Sequence, residues 1–416
     1  MNEMHSPHAG LDERIDRLAE IAVRVGLNLR HGQEVLITAP LDALPLVRRI
    51  TEHAYRAGAK LVTTMFNDEV ARLARFRHAP DDAFDYAPAW QQEGIARAYR
   101  EGAARLAIAG DDPALLSNEN PDRVSRASRA MSRAAKPALE QIAGFRTNWS
   151  IVAAATPGWA RAMFPELPQA EAIARLWDAI FAASRVDAPD PVAAWEAHNA
   201  HLGARTAMLN EKNYRALRYR GPGTELEIGL SAEHVWLGGS KAAANGIVCN
   251  PNIPTEEVFT TPDCRATTGT VRATKPLSYQ GTLIEDIAVR FEAGRIVDAS
   301  ARTGEAVLKR VLETDAGAAM LGEVALVPHS SPISASGLLF QNTLFDENAA
   351  SHIALGQCYS NCLAGGETMS KEQLAAIGAN ESLIHIDWMI GSDQIDIDGV
   401  TKEGAVEPLM RGGEWA

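Results

Sequence analysis

In the first quarter of the chain, a helix pattern with one apolar face gives way at or near a glycine to a short apolar strand. It does so three times. Leu11, Ile15, Leu18, Ala22 and Val25 recur at steps of four and three, which stacks them on one helix face. Gly32 turns the chain, and Val35-Leu36-Ile37 reads as a buried strand. A second helix pattern over residues 44–56 stops at Gly58, before a strand at 61–66. A third, over 91–101, stops at Gly102, and 105–109 is the next strand. Strands separated by covering helices pair in parallel, so this half predicts an α/β domain with a mostly parallel sheet. Residues 121–215 are helix-rich, with a short apolar run at 149–155. The long helical pattern over 191–211 reads as the connection between halves.

After about residue 215 the rhythm changes. Residues 225–230, 283–291 and 322–327 alternate polar and apolar side chains, and Gly and Pro punctuate them. That predicts an α+β, strand-rich C-terminal domain with antiparallel pairing. A chain of 416 residues is long for one domain, and the expected division is 1–205 and 206–416. Gly221-Pro222-Gly223 precedes a strand rather than a helix, so it is no dinucleotide fingerprint.

The charge balance excludes one class of partner. A formal net charge of −13 with no Lys/Arg-rich block argues against nucleic-acid binding. No window reaches ~18 consecutive apolar residues, so no membrane span is expected. The first ten residues have no apolar stretch of the kind a secretory signal needs, and the expected location is the cytoplasm. Cys249, Cys264, Cys358 and Cys362 contain no C-x-x-C pair and read as free thiols in a reducing compartment. The N-x-S sequons at Asn148 and Asn380 are then chance matches.

H-E-x-x-H, the Walker loop and G-x-S-x-G are all absent. The chemistry lies in the last third of the chain. Residues 382–390, Ser-Leu-Ile-His-Ile-Asp-Trp-Met-Ile, read as a buried strand in which His385 and Asp387 project together while Ile384, Ile386 and Trp388 face the other way. An imidazole and a carboxylate among apolar neighbours need a compensating partner, either each other or a divalent cation. Four more segments add donors. Thr255-Glu256-Glu257-Val258-Phe259 carries two glutamates that point to opposite sides if extended, so one of them enters a given site. Gly322-Glu323-Val324-Ala325-Leu326-Val327 is apolar except for one carboxylate. The run 346–352, Asp-Glu-Asn-Ala-Ala-Ser-His, reads as a capped helix start carrying Glu347 and His352, and Gln357-Cys358-Tyr359 lies just beyond it. Glu257, Glu323, His352, His385 and Asp387, with Glu347 in reserve, form a carboxylate/imidazole set. It suits Zn²⁺, Co²⁺ or Mn²⁺ better than Ca²⁺, with Mg²⁺ a further candidate. So many carboxylates match two divalent metal ions better than one. His198-x-x-His201 lies on a polar helix with no third ligand in view, and His329 follows Pro328 at the edge of these segments.

Together the blocks around Thr255-Glu256-Glu257-Val258-Phe259, Gly322-Glu323-Val324, Phe345-Asp346-Glu347-Asn348-Ala349-Ala350-Ser351-His352 and His385-Ile386-Asp387-Trp388 resemble the signatures of the thermophilic-type metalloaminopeptidases, aminopeptidase T and aminopeptidase S. The resemblance runs over nearly the whole chain. It implies that Glu257, Glu323, His352, His385 and Asp387 are metal ligands, with Glu323 bridging, and that Glu347 matches a carboxylate of the second metal. Tyr359 would assist the transition state. The C-terminal domain would be the catalytic one, in a homodimer whose sites face a largely enclosed cavity that admits short peptides with a free N-terminus. Glu256 or Glu347 would shuttle the proton from water to the leaving amine. The rival readings are a metal-dependent amidohydrolase or deaminase on non-peptide substrates, and a peptide-binding protein with a structural metal.

Overall fold

A computed structural model describes residues 7–279 and 282–416. They form two compact units, the first reaching to residue 199 and including 240–254, and the second made of 200–239 with the residues after 254. Among the described residues no helix is long and apolar enough to cross a membrane.

The first unit is built on a parallel sheet of β1 (Glu34–Pro40), β2 (Leu61–Asn67), β3 (Ala104–Ala109) and β4 (Trp149–Ala153), in the order β2-β1-β3-β4. This is the α/β arrangement that the helix–glycine–strand rhythm predicts. The helix Leu44–Arg56 buries Leu46, Val47, Ile50 and Ala54, one stripe at helical spacing. It ends because Gly58 takes a φ of +91°, which a side chain would disfavour, and Gly102 does the same at +94°. The first helix runs Pro7–Ile21 and widens into a π-helical turn over Ala22–Gly26. Residues 240–254 leave the second unit and return to this one. There Ile151 N donates to Pro251 O at 2.7 Å and Ile253 N to Ile151 O at 2.9 Å, so the returning strap lies along β4. Asn148 of the first sequon is fully buried, its Nδ2 donating to Leu27 O at 2.7 Å.

The second unit packs two sheets face to face over one apolar core, which includes Tyr219, Trp236, Phe291, Leu326, Ile353 and Trp388. The larger sheet has eight strands. Five of them are Ala288–Glu292, Pro262–Arg272, Thr224–Leu230, Ala216–Gly221 and Asp396–Val400, paired antiparallel in that order. Pro222 and Gly223 form the hairpin turn between two of these strands. The smaller sheet comprises β5 (Leu237–Gly238), β6 (Val258–Thr260), β7 (Leu321–Leu326), β8 (His352–Gly356) and β9 (His385–Met389), antiparallel in chain order.

Strand alternation gives the smaller sheet two unlike faces. Val258, Val324, Leu326, Ile353, Leu355 and Trp388 enter the shared core. Their neighbours Glu257, Glu323, His352 and Asp387 take the other face. Regular alternation would put Glu323 on the same side as core Leu321. A β-bulge prevents this: the register shifts between Leu321 and Glu323, so Leu321 pairs with Leu355 and Glu323 with Ala354. The extra residue is Gly322, where an added Cβ would collide with the backbone oxygens of Gly356 and Gln357. Asn380, the second sequon residue, is 6% exposed; its Nδ2 donates to Gly356 O at 2.7 Å and to Gly317 O at 2.9 Å, tying the loops beside the bulge.

The run 343–352 differs from the expected helix start. Asn342 is the N-cap, its Oδ1 accepting from Leu344 N, and the helix lasts only from Thr343 to Asp346, followed by a single 3₁₀ turn. Asp346 accepts from the N–H groups of Phe340 and Asn342 and so folds the preceding loop back on itself. Ala350 is fully extended (φ −166°), and His352 opens strand β8. The apolar stretch Ile353-Ala354-Leu355 completes the sheet between β7 and β9, and that burial outweighs one more turn of helix. Gly322→Ala tests the bulge. With backbone on both sides of the missing side chain, the change should cost roughly 1–3 kcal/mol, read as a lower urea midpoint at unchanged slope; an unmoved midpoint would show that the bulge yields freely.

Candidate metal centre

The ligand face of the smaller sheet is laid out by register. Ala325 of β7 lies opposite both Phe259 of β6 and His352 of β8. Ala354 of β8 lies opposite both Glu323 of β7 and Asp387 of β9. The two alanines are fully buried and leave space at the middle of the face, with ionisable side chains around it. Two groups of donors converge there, Glu257–Glu323–His352 and Glu323–His385–Asp387, with the donor atoms of each group within 4.8 Å of one another. Glu323 belongs to both. Its Oε1 is 3.7 Å from His352 Nε2 and its Oε2 is 3.5 Å from His385 Nε2. Glu257 Oε2 lies 3.3 Å from His352 Nε2, and Asp387 Oδ1 3.3 Å from His385 Nε2.

Both imidazoles are oriented by backbone. His352 Nδ1 is 3.2 Å from Ala350 O and His385 Nδ1 is 2.7 Å from Gln357 O, so each Nδ1–H donates to a carbonyl and each Nε2 is turned to the carboxylates. His385 and Asp387 project together, as their i, i+2 spacing in a strand requires.

The electrostatics are those of acids crowded out of water. Burial pushes the Glu257 carboxyl up to about 8, and the charges of Glu323 and Asp387 add to the rise while His352 opposes it. Burial works against the charged form of His352, but its pairing with the accepting Glu323 carboxylate and the charges of Glu257 and Asp387 raise it to about 9. His385 is likewise penalised by burial and lifted to about 10 by Asp387 and Glu323. Asp387 moves the other way: burial is opposed and overcome by His385 and His352, which hold it below the usual carboxylate range.

The remaining expected residues lie around this cluster. Glu347, in the 3₁₀ turn Glu347–Ala349, is outside both triads. Burial, then the charges of Glu257, Asp387 and Glu323, raise its carboxyl well above the ordinary value. Glu256 is buried and outside both triads; its N–H donates to Asn348 Oδ1 at 2.7 Å. The Tyr359 ring is 4.8 Å from that of His385. Desolvation, then the nearby carboxylates led by Glu323, raise its phenol well above the usual range. The histidines set aside lie elsewhere: His198 Nδ1 is 3.0 Å from an Arg185 nitrogen in the first unit, and His329 lines a small pocket with Val327 and Ser351. Three contributors went unread in the sequence. Gly322 could have been found, since a lone glycine in a strand signals a bulge. Ala354 and Asn348 carry no local signal.

Glu257 Oε2 and Glu323 Oε2 are buried side-chain oxygens that accept no hydrogen bond. A buried polar atom left in that condition is costly unless a partner answers it. The donors, two imidazole nitrogens and three carboxylates, fit a divalent transition ion.

The profile of the thermophilic metalloprotease family (M29) matches residues 11–415. The chain belongs to this family. It is a peptide-bond hydrolase of the metalloprotease type, as its sequence blocks predict. It is 54% identical over 404 residues to Aminopeptidase T of Thermus thermophilus, covering 96% of this chain and 98% of that one. With Aminopeptidase 2 of Geobacillus stearothermophilus it shares 45% identity over 405 residues, covering 97% and 98%. Among solved structures, wild-type AmpT from Thermus thermophilus superposes with a TM-score of 0.93 at 52% identity, covering 98% of this chain and all of that one.

The raised values have a consequence for metal loading in this metalloprotease. Glu257, His352 and His385 hold protons at pH 7, and a cation must displace them, so binding at pH 7 should release about two to three protons per chain. Affinity should therefore rise with pH above neutrality and level off once His385 has titrated near 10. Calorimetry of zinc addition in buffers of differing ionisation enthalpy reads this number directly; zinc uptake without proton release would contradict the sign.

Proposed function

We propose that this chain is an aminopeptidase that removes single residues from the free N-terminus of short peptides. Glu257, Glu323 and His352 would hold one divalent cation and Glu323, His385 and Asp387 a second. The observation that carries this reading is the pair of triads joined at Glu323, whose two oxygens face different histidines. Two sites sharing one carboxylate are the arrangement expected of hydrolytic two-metal centres. The Aminopeptidase names of the relatives support the choice of peptide N-termini over other amides. Bound Zn²⁺, Co²⁺ or Mn²⁺, with Mg²⁺ a further candidate, supply Lewis-acid polarisation of a carbonyl and a water that ionises near neutral pH.

The chain's own residues do the rest. The substrate's free α-amine would be received by a carboxylate of the centre, where Asp387 is held ionised by its histidines, and that contact fixes cleavage after the first residue. Tyr359 keeps its proton at neutral pH and donates a hydrogen bond to the oxygen that becomes negative in the tetrahedral transition state. Glu256 or Glu347 moves the proton to the leaving amine, and the raised carboxyl of Glu347 is the direction such a group requires. The reading places the chain in the cytoplasm as a homodimer with its centre facing an enclosed space. Cys249, Cys264, Cys358 and Cys362 are buried with no disulfide among the described residues, which supports a reducing compartment.

Two experiments test it. Chelation should abolish turnover and Co²⁺, Zn²⁺ or Mn²⁺ restore it, while acetylating the substrate amine removes most turnover; equal rates on acetylated and free peptides point to an endopeptidase or amidase. Glu257→Gln keeps size and removes a donor charge, so bound metal and activity should fall together. Glu256→Gln should keep its metal by elemental analysis and, as a proton shuttle, lose roughly 10²–10⁴-fold in turnover. Metal lost from the Glu256 variant and kept in the Glu257 variant reverses the assignment.

A further inference from the structure

The donors of the second unit are unequally covered. His352, Glu323, Glu257 and Asp387 expose 1%, 6%, 9% and 9% of their side chains, whereas His385 exposes 22% and Tyr359 is 46% exposed as a residue. A molecule reaching the triads within this unit therefore meets the His385–Tyr359 end first. Phe259 belongs to the same end. It follows core residue Val258 on β6, so it lies on the ligand face with Glu257. It is half-buried, and its ring stands edge-on to Tyr359 at 6.2 Å. Tyr359 in turn is 4.8 Å from His385. The spacing of the two outer rings is tied at the backbone, because Thr261 Oγ1, two residues beyond Phe259, donates to Tyr359 O at 3.1 Å. In register Phe259 pairs with Leu237 on one side and the small Ala325 on the other. The open end of the site is thus an aromatic wall, and its closed end is acidic.

We infer that Phe259 is a specificity-determining residue, setting a preference for peptides whose first side chain is large and apolar or aromatic. The inference rests on the aminopeptidase reading. A free α-amine is drawn to the carboxylates at the closed end, and the side chain one bond further along the peptide then lies against the rings. A ring that is half-buried before binding offers the apolar surface that a leucine or phenylalanine side chain covers and a glycine does not. The polar donors of the centre give no such discrimination, because they meet the amine and the carbonyl that every peptide shares.

The test uses the full-length, metal-loaded protein and dipeptides beginning with phenylalanine or leucine, or with glycine or alanine. The unaltered protein should favour the large series in kcat/KM. Phe259→Ala should reduce that preference roughly ten- to hundred-fold, with bound zinc per chain equal to the unaltered protein by elemental analysis. Phe259→Leu, which keeps apolar bulk and spares the fold, should retain most of the preference. An unchanged ratio in both variants, or a glycine preference in the unaltered protein, overturns the inference while leaving the aminopeptidase reading in place. If the unaltered protein hydrolyses neither series, that reading fails and the inference falls with it.

Discussion

Everything in the second unit is arranged around a burial that water alone would forbid: three carboxylates and two imidazoles on one face of an otherwise apolar sheet. Each acid taken out of water is penalised, and Glu257 shows the size of that penalty by holding its proton up to about 8. The sheet tolerates the group because the charges answer one another. Asp387 is held ionised by His385 and His352, and each histidine is held protonated by the carboxylates around it. The balance is incomplete, since two carboxylate oxygens remain without hydrogen bonds. That deficit gives a cation its hold on the site. It would be a defect in a purely structural core.

The opposite face supplies the stability that this burial consumes. Val258, Val324, Leu326, Ile353, Leu355 and Trp388 alternate with the donors and interlock with the larger sheet. Each such side chain contributes about 1.5–3 kcal/mol on leaving water. The same strands therefore carry both the cost and its compensation, and the parity of each strand decides which residue does which. Substituting one donor changes local charge. Slipping a strand by one residue would exchange the two faces altogether.

That dependence explains how much of the site was legible in the sequence. His385 and Asp387 could be placed together because β9 is regular and i, i+2 spacing is enough. Alternation at Glu256 and Glu257 allows one of them into the site, and the resemblance, not the strand pattern, points to Glu257 as that one. Glu323 was singled out as the one carboxylate in an apolar run, yet simple alternation would have turned it toward the core beside Leu321. Only the bulge at Gly322 explains why it faces its partners. His352 was found by residue type and misplaced by element, because the helix signals at 342–346 are genuine but local. Pairing with strands far away in sequence sets the conformation from Ala350 onward. Asn348 and Ala354 act through neighbours brought near by the fold, which a linear pattern cannot display. In the first unit the periodicity of the helices and the glycines at 58 and 102 were sufficient for the parallel sheet, since those signals are contained within single elements.

The strap of residues 240–254 bears on how the chain is made. Strand β4 is complete once residue 153 has been synthesised, but the segment that bonds to Ile151 arrives about a hundred residues later, after part of the second unit has already been translated. Until then the β4 side of the first sheet presents an unpaired backbone edge to the cellular milieu. A nascent chain that pauses between these two points is exposed to mispairing, and a fragment ending near residue 205 would be left in that condition permanently. The first unit is therefore early in position but late in completion, and its closure is timed by the segment that leads directly into Glu256 and Glu257.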